Sequence, residues 1–186
     1  MIFNKIYRKF FEAFRVLKSK LRIIHLRNKY PNIKITTGKN LFIGKNCRII
    51  CVDGGELILN NVNVSDGTHI FCQNKAIIEL SNCFIGKDCV IVSLSSIIIK
   101  DNCEIAEMVV IRDQNHKHNL TDTPINKQGY KSAPIVINEN VWIGAKATIL
   151  KGVEIGKNSI IGTNAVVNKS FSSSSIIVGI PAKKIN

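Results

Sequence analysis

From Ile137 the chain places an aliphatic residue at every sixth position: Ile137, Ile143, Ile149, Ile155, Ile161 and Val167. Ile, Leu and Val fill 56 of the 186 positions. Six such hits in a row therefore have chance odds of about 0.0007, before the choice of register is allowed for. A second column four residues on, Val141, Ala147, Val153, Ser159 and Ala165, holds only small or β-branched side chains, and a third is partly glycine at Gly144, Gly156 and Gly162. A period of six fits neither the 3.6-residue helix nor the two-residue strand. It fits a solenoid of short strands and tight corners, three hexapeptides to a triangular coil, with coils stacked about 4.8 Å apart. The aliphatic column fills the interior and the small column lets the wall bend. Glycine or asparagine at the corners supplies positive φ.

The same beat runs less cleanly upstream. Ile43-Gly44-Lys45-Asn46-Cys47 leads to Ile49, and Ile85-Gly86-Lys87-Asp88-Cys89 leads to Ile91 and Ile97. After a two-residue slip, Ile99, Ile105 and Ile111 follow. Cys47, Cys89 and Cys103 share the small column and read as small buried hydrophobes. None of the six cysteines forms a Cys-x-x-Cys pair, so zinc-site and dithiol readings lack their spacing. The N-terminus has no compact apolar core followed by a small-residue cleavage site, and no apolar run approaches the ~18 residues of a spanning helix. Free thiols then fit a reducing, cytoplasmic compartment.

The formal charge of +13 is uneven. Residues 1–29 carry nine bases and the single acid Glu12, a net +8, which leaves +5 for the remaining 157 residues. A mildly basic body without groove-reading motifs argues against nucleic acid as the partner. Within residues 2–28, Ile2, Phe3, Ile6, Tyr7, Phe10, Phe11, Phe14, Leu17, Leu21 and Ile24 recur at three- and four-residue spacings among Lys and Arg. This predicts a basic amphipathic helix that ends before Pro31. Three uses are open: a helix packed on the solenoid base or joining protomers, a peripheral helix on anionic lipid at the inner membrane face, or a transit peptide.

The six-residue beat stops at Ile111 and resumes at Ile135 and Ile137. The polar excursion between them, residues 112–134, holds His116 and His118, two of the four histidines. A structureless excursion of this length in a regular scaffold is usually functional. Asp113, His116 and His118 lack a full ligand set, so no metal is expected.

The stretch from Ile105 to His116, the segments Asn140-Val141-Trp142-Ile143-Gly144-Ala145 and Gly152-Val153-Glu154-Ile155-Gly156, and the closing Val178-Gly179-Ile180-Pro181-Ala182-Lys183 resemble the hexapeptide-repeat acyltransferases. The similarity is greatest to bacterial sugar and polysaccharide O-acetyltransferases of the galactoside and maltose acetyltransferase kind. It is strong over residues 85–185, weaker over 35–84 and absent over 1–30. The resemblance implies an all-β body, a left-handed parallel β-helix over residues 31–172 with a protruding loop at 112–134; the basic helix read from its own spacing occupies 1–30 before it, and a tail over 173–186 follows. The general preference for right-handed crossovers would by itself have argued the opposite hand. The resemblance further implies a homotrimer, acetyl-coenzyme A as donor, and sites between neighbouring subunits.

In such enzymes the histidine five residues after the last repeat aliphatic is the base, and here that is His116. An imidazole titrating near pH 6.5 can take a hydroxyl proton, which the ammonium of Lys or the guanidinium of Arg cannot. Glu107 and Asp113 are the carboxylates near it in sequence, one to orient the imidazole and one to meet acceptor hydroxyls, unless either merely pairs with Arg112. A backbone N–H of Gly144 or Ala145 would meet the oxyanion. Trp142 is expected beside the pantetheine arm, or else is an exposed strand residue. The resemblance places Gly162, Thr163 and Pro181 on the donor site, with Lys169 and Lys183, or Lys184 instead, at the phosphates. Met108 stands where galactoside-type members carry an acceptor-binding Asn. His118 is read as acceptor contact or solvated loop.

The expected activity is direct acetyl transfer, in a ternary complex, to a hydroxyl of a cell-surface polysaccharide or its precursor. The alternatives are an amino-sugar N-acetyltransferase, an antibiotic acetyltransferase and a non-catalytic solenoid.

Overall fold

A computed structural model describes residues 2–36 and 38–186, with side chains described from residue 9 onward. Three parallel sheets form the walls of a triangular solenoid. Face A stacks Ile33–Thr36, Glu56–Asn60, Ile77–Ser81, Ser96–Ile99, Ile135–Ile137 and Glu154–Ile155. Face B stacks Phe42–Ile43, Asn63–Val64, Phe84–Ile85, Glu104–Ile105, Trp142–Ile143, Ile160–Ile161 and Ile176–Val178, with Lys183–Lys184 antiparallel at its end. Face C stacks Arg48–Cys51, His69–Cys72, Val90–Ser93, Val110–Arg112, Thr148–Ile149 and Val166–Val167.

The six-residue column is the core. Ile137, Ile143, Ile149, Ile155, Ile161 and Val167 are all fully buried, as are Ala147, Ala165, Cys89 and Cys103 of the small column. Burial pushes the Cys72 thiol up to about 12 and those of Cys89 and Cys103 up to about 11. Desolvation disfavours the thiolate, so these thiols are inert packing groups at neutral pH.

The upstream beat is faint because the early coils are longer. Ile43, Val64 and Ile85 share a column at intervals of 21 residues, whereas Ile143 and Ile161 are 18 apart. The added residues sit at the corner between faces C and A, where Asp53, Gly54, Asn74 and Lys75 all have positive φ.

The corners meet that expectation only in part. At the edge between faces B and C positive φ falls on Asn46, Gly67 and Asn164, but also on Asp88, Met108 and Lys146. Gly144 serves stacking instead: a Cβ there would lie 2.7 Å from the Thr163 nitrogen and 2.9 Å from the Ile161 oxygen. At the edge between faces A and B, side-chain amides form a ladder, with Asn61 donating to Asn82 (3.0 Å) and Asn82 to Asp101 (3.1 Å).

The predicted helix spans Ile2–Lys29. Ile2, Phe3, Ile6 and Tyr7 of its expected apolar face have side chains outside those described. Its second half closes the base of the solenoid. Ser19, Ile23 and Leu26 are buried, the Ser19 hydroxyl accepts from the Ile43 N–H at 2.8 Å, and Arg22 and Arg27 donate to the Ile43 and Ile35 carbonyls. At the far end the solenoid runs past the expected boundary at 172. Ile176–Val178 adds a rung in register with Ile160–Ile161, and buried Ala182 closes the top by donating to the Val166 carbonyl. No described helix is long and apolar enough to cross a membrane.

Candidate active site

The excursion is ordered at its root, not structureless. Gln114–His116 pairs antiparallel with Tyr130–Ser132, and the tip closes where Gln128 exchanges hydrogen bonds with the Leu120 backbone. Asp113 fixes this root. It is fully buried, and its carboxylate accepts from the Ser93 hydroxyl (2.6 Å) and from the Leu94 and Ser95 N–H groups (2.8 Å each). Its three donors do not include the His116 imidazole, so within the chain Asp113 anchors the hairpin root and does not hold the imidazole. That expectation is corrected: spacing placed the carboxylate near His116, but the strand before the excursion turns it into the previous coil.

The hairpin hangs over the outer side of face C. Outward positions there form two columns, Arg48-His69-Val90-Val110 and Ile50-Phe71-Val92-Arg112, from the strand register. Between them and the hairpin lies a cleft of about 610 Å³ lined by both columns' lower rungs together with Gln114, Asn115, His116 and Tyr130. The His116 imidazole is exposed and lies 4.4 Å from the Tyr130 ring, centroid to centroid. Gln114 is buried, and its Oε1 has no hydrogen-bond partner among the described residues. A buried acceptor in a cleft wall, left without a donor, suits a ligand hydroxyl. Among the described residues two arginines and two histidines line the cleft, and no acid does.

A second group of expected residues stands elsewhere on the chain. Glu107, Gly144, Ala145, Gly162 and Thr163 share the edge between faces B and C, and Trp142 precedes it on face B, 54% exposed. Glu107, exposed on that edge, is outside the His116 cleft of its own chain. The two expected donors differ on this edge. The Gly144 N–H is spent on the Ile161 carbonyl at 2.7 Å, whereas the Ala145 N–H has no partner among the described residues. The Pro181 turn and Lys183 finish the same face, with Lys183 opposite Val178 and Val178 packed over Gly162. Lys169 instead sits past the end of face C, with its ammonium over the Phe171 ring. His118 lies outside the cleft lining. Arg48, His69, Phe71, Gln114 and Tyr130 were not foreseen from sequence. The outward phase of the face C strands would have flagged the first three only if the direction in which the hairpin folds back had been known. Among the described residues no cluster of three or more His, Cys, Asp or Glu could hold a metal ion.

Residues 134–169 match the model of the bacterial transferase hexapeptide family (six repeats), and residues 76–111 match that of the hexapeptide repeat of succinyl-transferase. WbbJ of Escherichia coli K12, named as a lipopolysaccharide-biosynthesis O-acetyltransferase, is 32% identical over 155 residues, covering 76% of this chain and 79% of its own. The chain belongs to the bacterial transferase hexapeptide family. The solenoid is thus the left-handed β-helix of that family. Rv3034c of Mycobacterium tuberculosis, named as an acetyltransferase, is 31% identical over 86% of this chain, which spans only 54% of that protein's length. Among solved structures, AntD of Bacillus cereus, an N-acyltransferase bound to dTDP and 3-hydroxybutyryl-CoA, superposes with a TM-score of 0.69 at 20% identity, over 87% of this chain and 86% of its own. That likeness is one of fold. A maltose O-acetyltransferase of Clostridium difficile 630 gives a TM-score of 0.50 at 25% identity, over 77% of this chain and 67% of its own.

Proposed function

We propose that this protein transfers an acetyl group from acetyl-coenzyme A to a hydroxyl of a carbohydrate, a cell-surface polysaccharide or its precursor, with His116 as general base. The observation that carries the reading is the cleft under the hairpin, where an exposed imidazole and the unpartnered Gln114 oxygen face one space. The resemblance to O-acetyltransferases supports the reaction class. In the step itself, the imidazole takes the acceptor hydroxyl proton as that oxygen bonds to the thioester carbonyl carbon. The Ala145 N–H stabilises the oxyanion. The carbon–sulfur bond then breaks, and the imidazolium returns its proton to the departing thiolate. The buried thiols are protonated and offer no acyl carrier, in keeping with transfer in a ternary complex.

His116 and the Ala145 edge do not share a cavity within one chain. The reading therefore includes a homotrimer in which the base of one subunit works against the Trp142–Ala145 edge of its neighbour, with Gly162, Thr163, Pro181 and Lys183 extending the donor groove. The arginines at positions 48 and 112 suit an acceptor that carries acidic groups. The test is acetyl-coenzyme A turnover with a glycan panel, read by thiol release and by mass of the product. Alkali-labile product from the wild type and loss of at least about a hundredfold in kcat for His116→Ala support the reading. An alkali-stable amide, or full turnover by His116→Ala, overturns it.

A further inference from the structure

The helix over the solenoid base is two-sided. Ser19, Ile23 and Leu26 face the coil and are buried. Phe10, Phe14, Leu17, Leu21 and Ile24 alternate at spacings of four and three, and all five are exposed, Phe10 by 71% and Leu21 by 59%. At about 100° per residue this stripe lies on the opposite side of the helix from Ser19 and Leu26. Lys9, Lys20 and Arg27 fall about 80–100° to one side of it, and Lys18 and Lys29 about 80–100° to the other. The Lys18 ammonium stands 4.3 Å from the centre of the Phe14 ring, its stem along the stripe and its charge at the border. The one acid, Glu12, falls on the coil side.

The geometry points to an anionic phospholipid surface as the occupant of this stripe. A large apolar face bordered on both sides by bases is what an interfacial helix presents to acidic headgroups. A second copy of the helix is the competing occupant, since the spacing is also that of a coiled-coil seam. Pairing two copies would set bases against bases along both borders, with no acid there to answer them, so self-association is opposed where lipid is favoured. The coil-facing contacts through Ser19 and Arg22 remain intact while the outer stripe is buried in lipid, so the protein docks without unfolding its base.

The experiment is co-sedimentation of the full chain with vesicles of phosphatidylcholine, with or without phosphatidylglycerol. The expected result is binding to the anionic vesicles that weakens as salt shortens the screening length from about 10 Å to about 3 Å. Leu17→Glu/Leu21→Glu lowers that binding at least about tenfold with an unchanged melting temperature, since both side chains are exposed. Lys18→Glu/Lys20→Glu, which keeps the stripe, must remove the preference for anionic vesicles. Equal binding to neutral and anionic vesicles, or binding that survives both double substitutions, overturns the inference. So does a wild type that ignores vesicles while Leu17→Glu/Leu21→Glu lowers its mass by light scattering, which would make the stripe a seam between copies.

Discussion

Replacing Asp113 separates a structural carboxylate from a catalytic one. Asp113→Ala leaves the Ser93 hydroxyl and the Leu94 and Ser95 N–H groups without their acceptor at the root of the hairpin. Each orphaned donor costs about 1–3 kcal/mol, but Leu94 and Ser95 are only half-buried and water recovers part of it. The sum is about 3–4 kcal/mol. For a chain of this size that lowers the melting temperature by roughly 10 °C if the root unfolds with the coil. If it unfolds alone, the loss appears as faster amide exchange across residues 113–134. Asp113→Asn keeps the shape and most of the acceptor capacity, and should cost about half as much. Activity should fall in proportion to hairpin order, as lower kcat with an unmoved pH profile, because the imidazole is misplaced and not retuned. Exchange and the pH dependence of kcat/KM, measured on both variants, give the answer. A shifted acidic limb in Asp113→Asn with a normally ordered hairpin would refute the reasoning and restore Asp113 as a partner of the base.

The donor edge gives a sharper substitution. Ala145 precedes Lys146, whose φ is 61°, and the Ala147 N–H closes the turn on the Gly144 carbonyl. Proline suits the second position of such a turn. Ala145→Pro should therefore melt like the wild type yet lose about a hundredfold or more in kcat; intact kcat would rule out that N–H. Gln114→Leu removes a buried acceptor that has no partner, so stability should hold or rise, while the acceptor KM rises about tenfold through loss of one hydrogen bond. The thiols set an alkaline limit. Cys89 and Cys103 are held protonated in the fold and titrate near 9 when unfolded, so their contribution to stability is level below about pH 9 and falls between about 9 and 11 as the unfolded chain alone loses protons. Cys103→Ala, which brings in the residue already present at Ala147 and Ala165, should make that fall shallower in urea melts taken across the window.

Much of this is legible in the sequence where one residue type answers one demand. Ile143 and Ile161 had to be large and aliphatic because a triangular interior accepts little else, so the later coils could be read outright. The break after Ile111 exposed His116 for the same reason, since a solenoid that loses its beat has left its own wall. The first coils resisted because residues added at Asp53-Gly54 and Asn74-Lys75 stretch the repeat to 21 residues while the walls stay in register. Asp113 was misread because proximity in sequence to His116 says nothing about the strand ending at Ser93 that receives it. Arg48, His69 and Phe71 were invisible for a similar reason: they become a site only when a hairpin rooted more than 40 residues later folds back across their face.

In the proposed trimer the His116 imidazole of one subunit serves the Ala145 edge of another. Co-assembled in equal amounts, His116→Ala and Ala145→Pro chains should recover about one quarter of wild-type activity, because random closed assembly leaves that share of seams with both parts intact. A mixture no more active than either variant alone would contradict it.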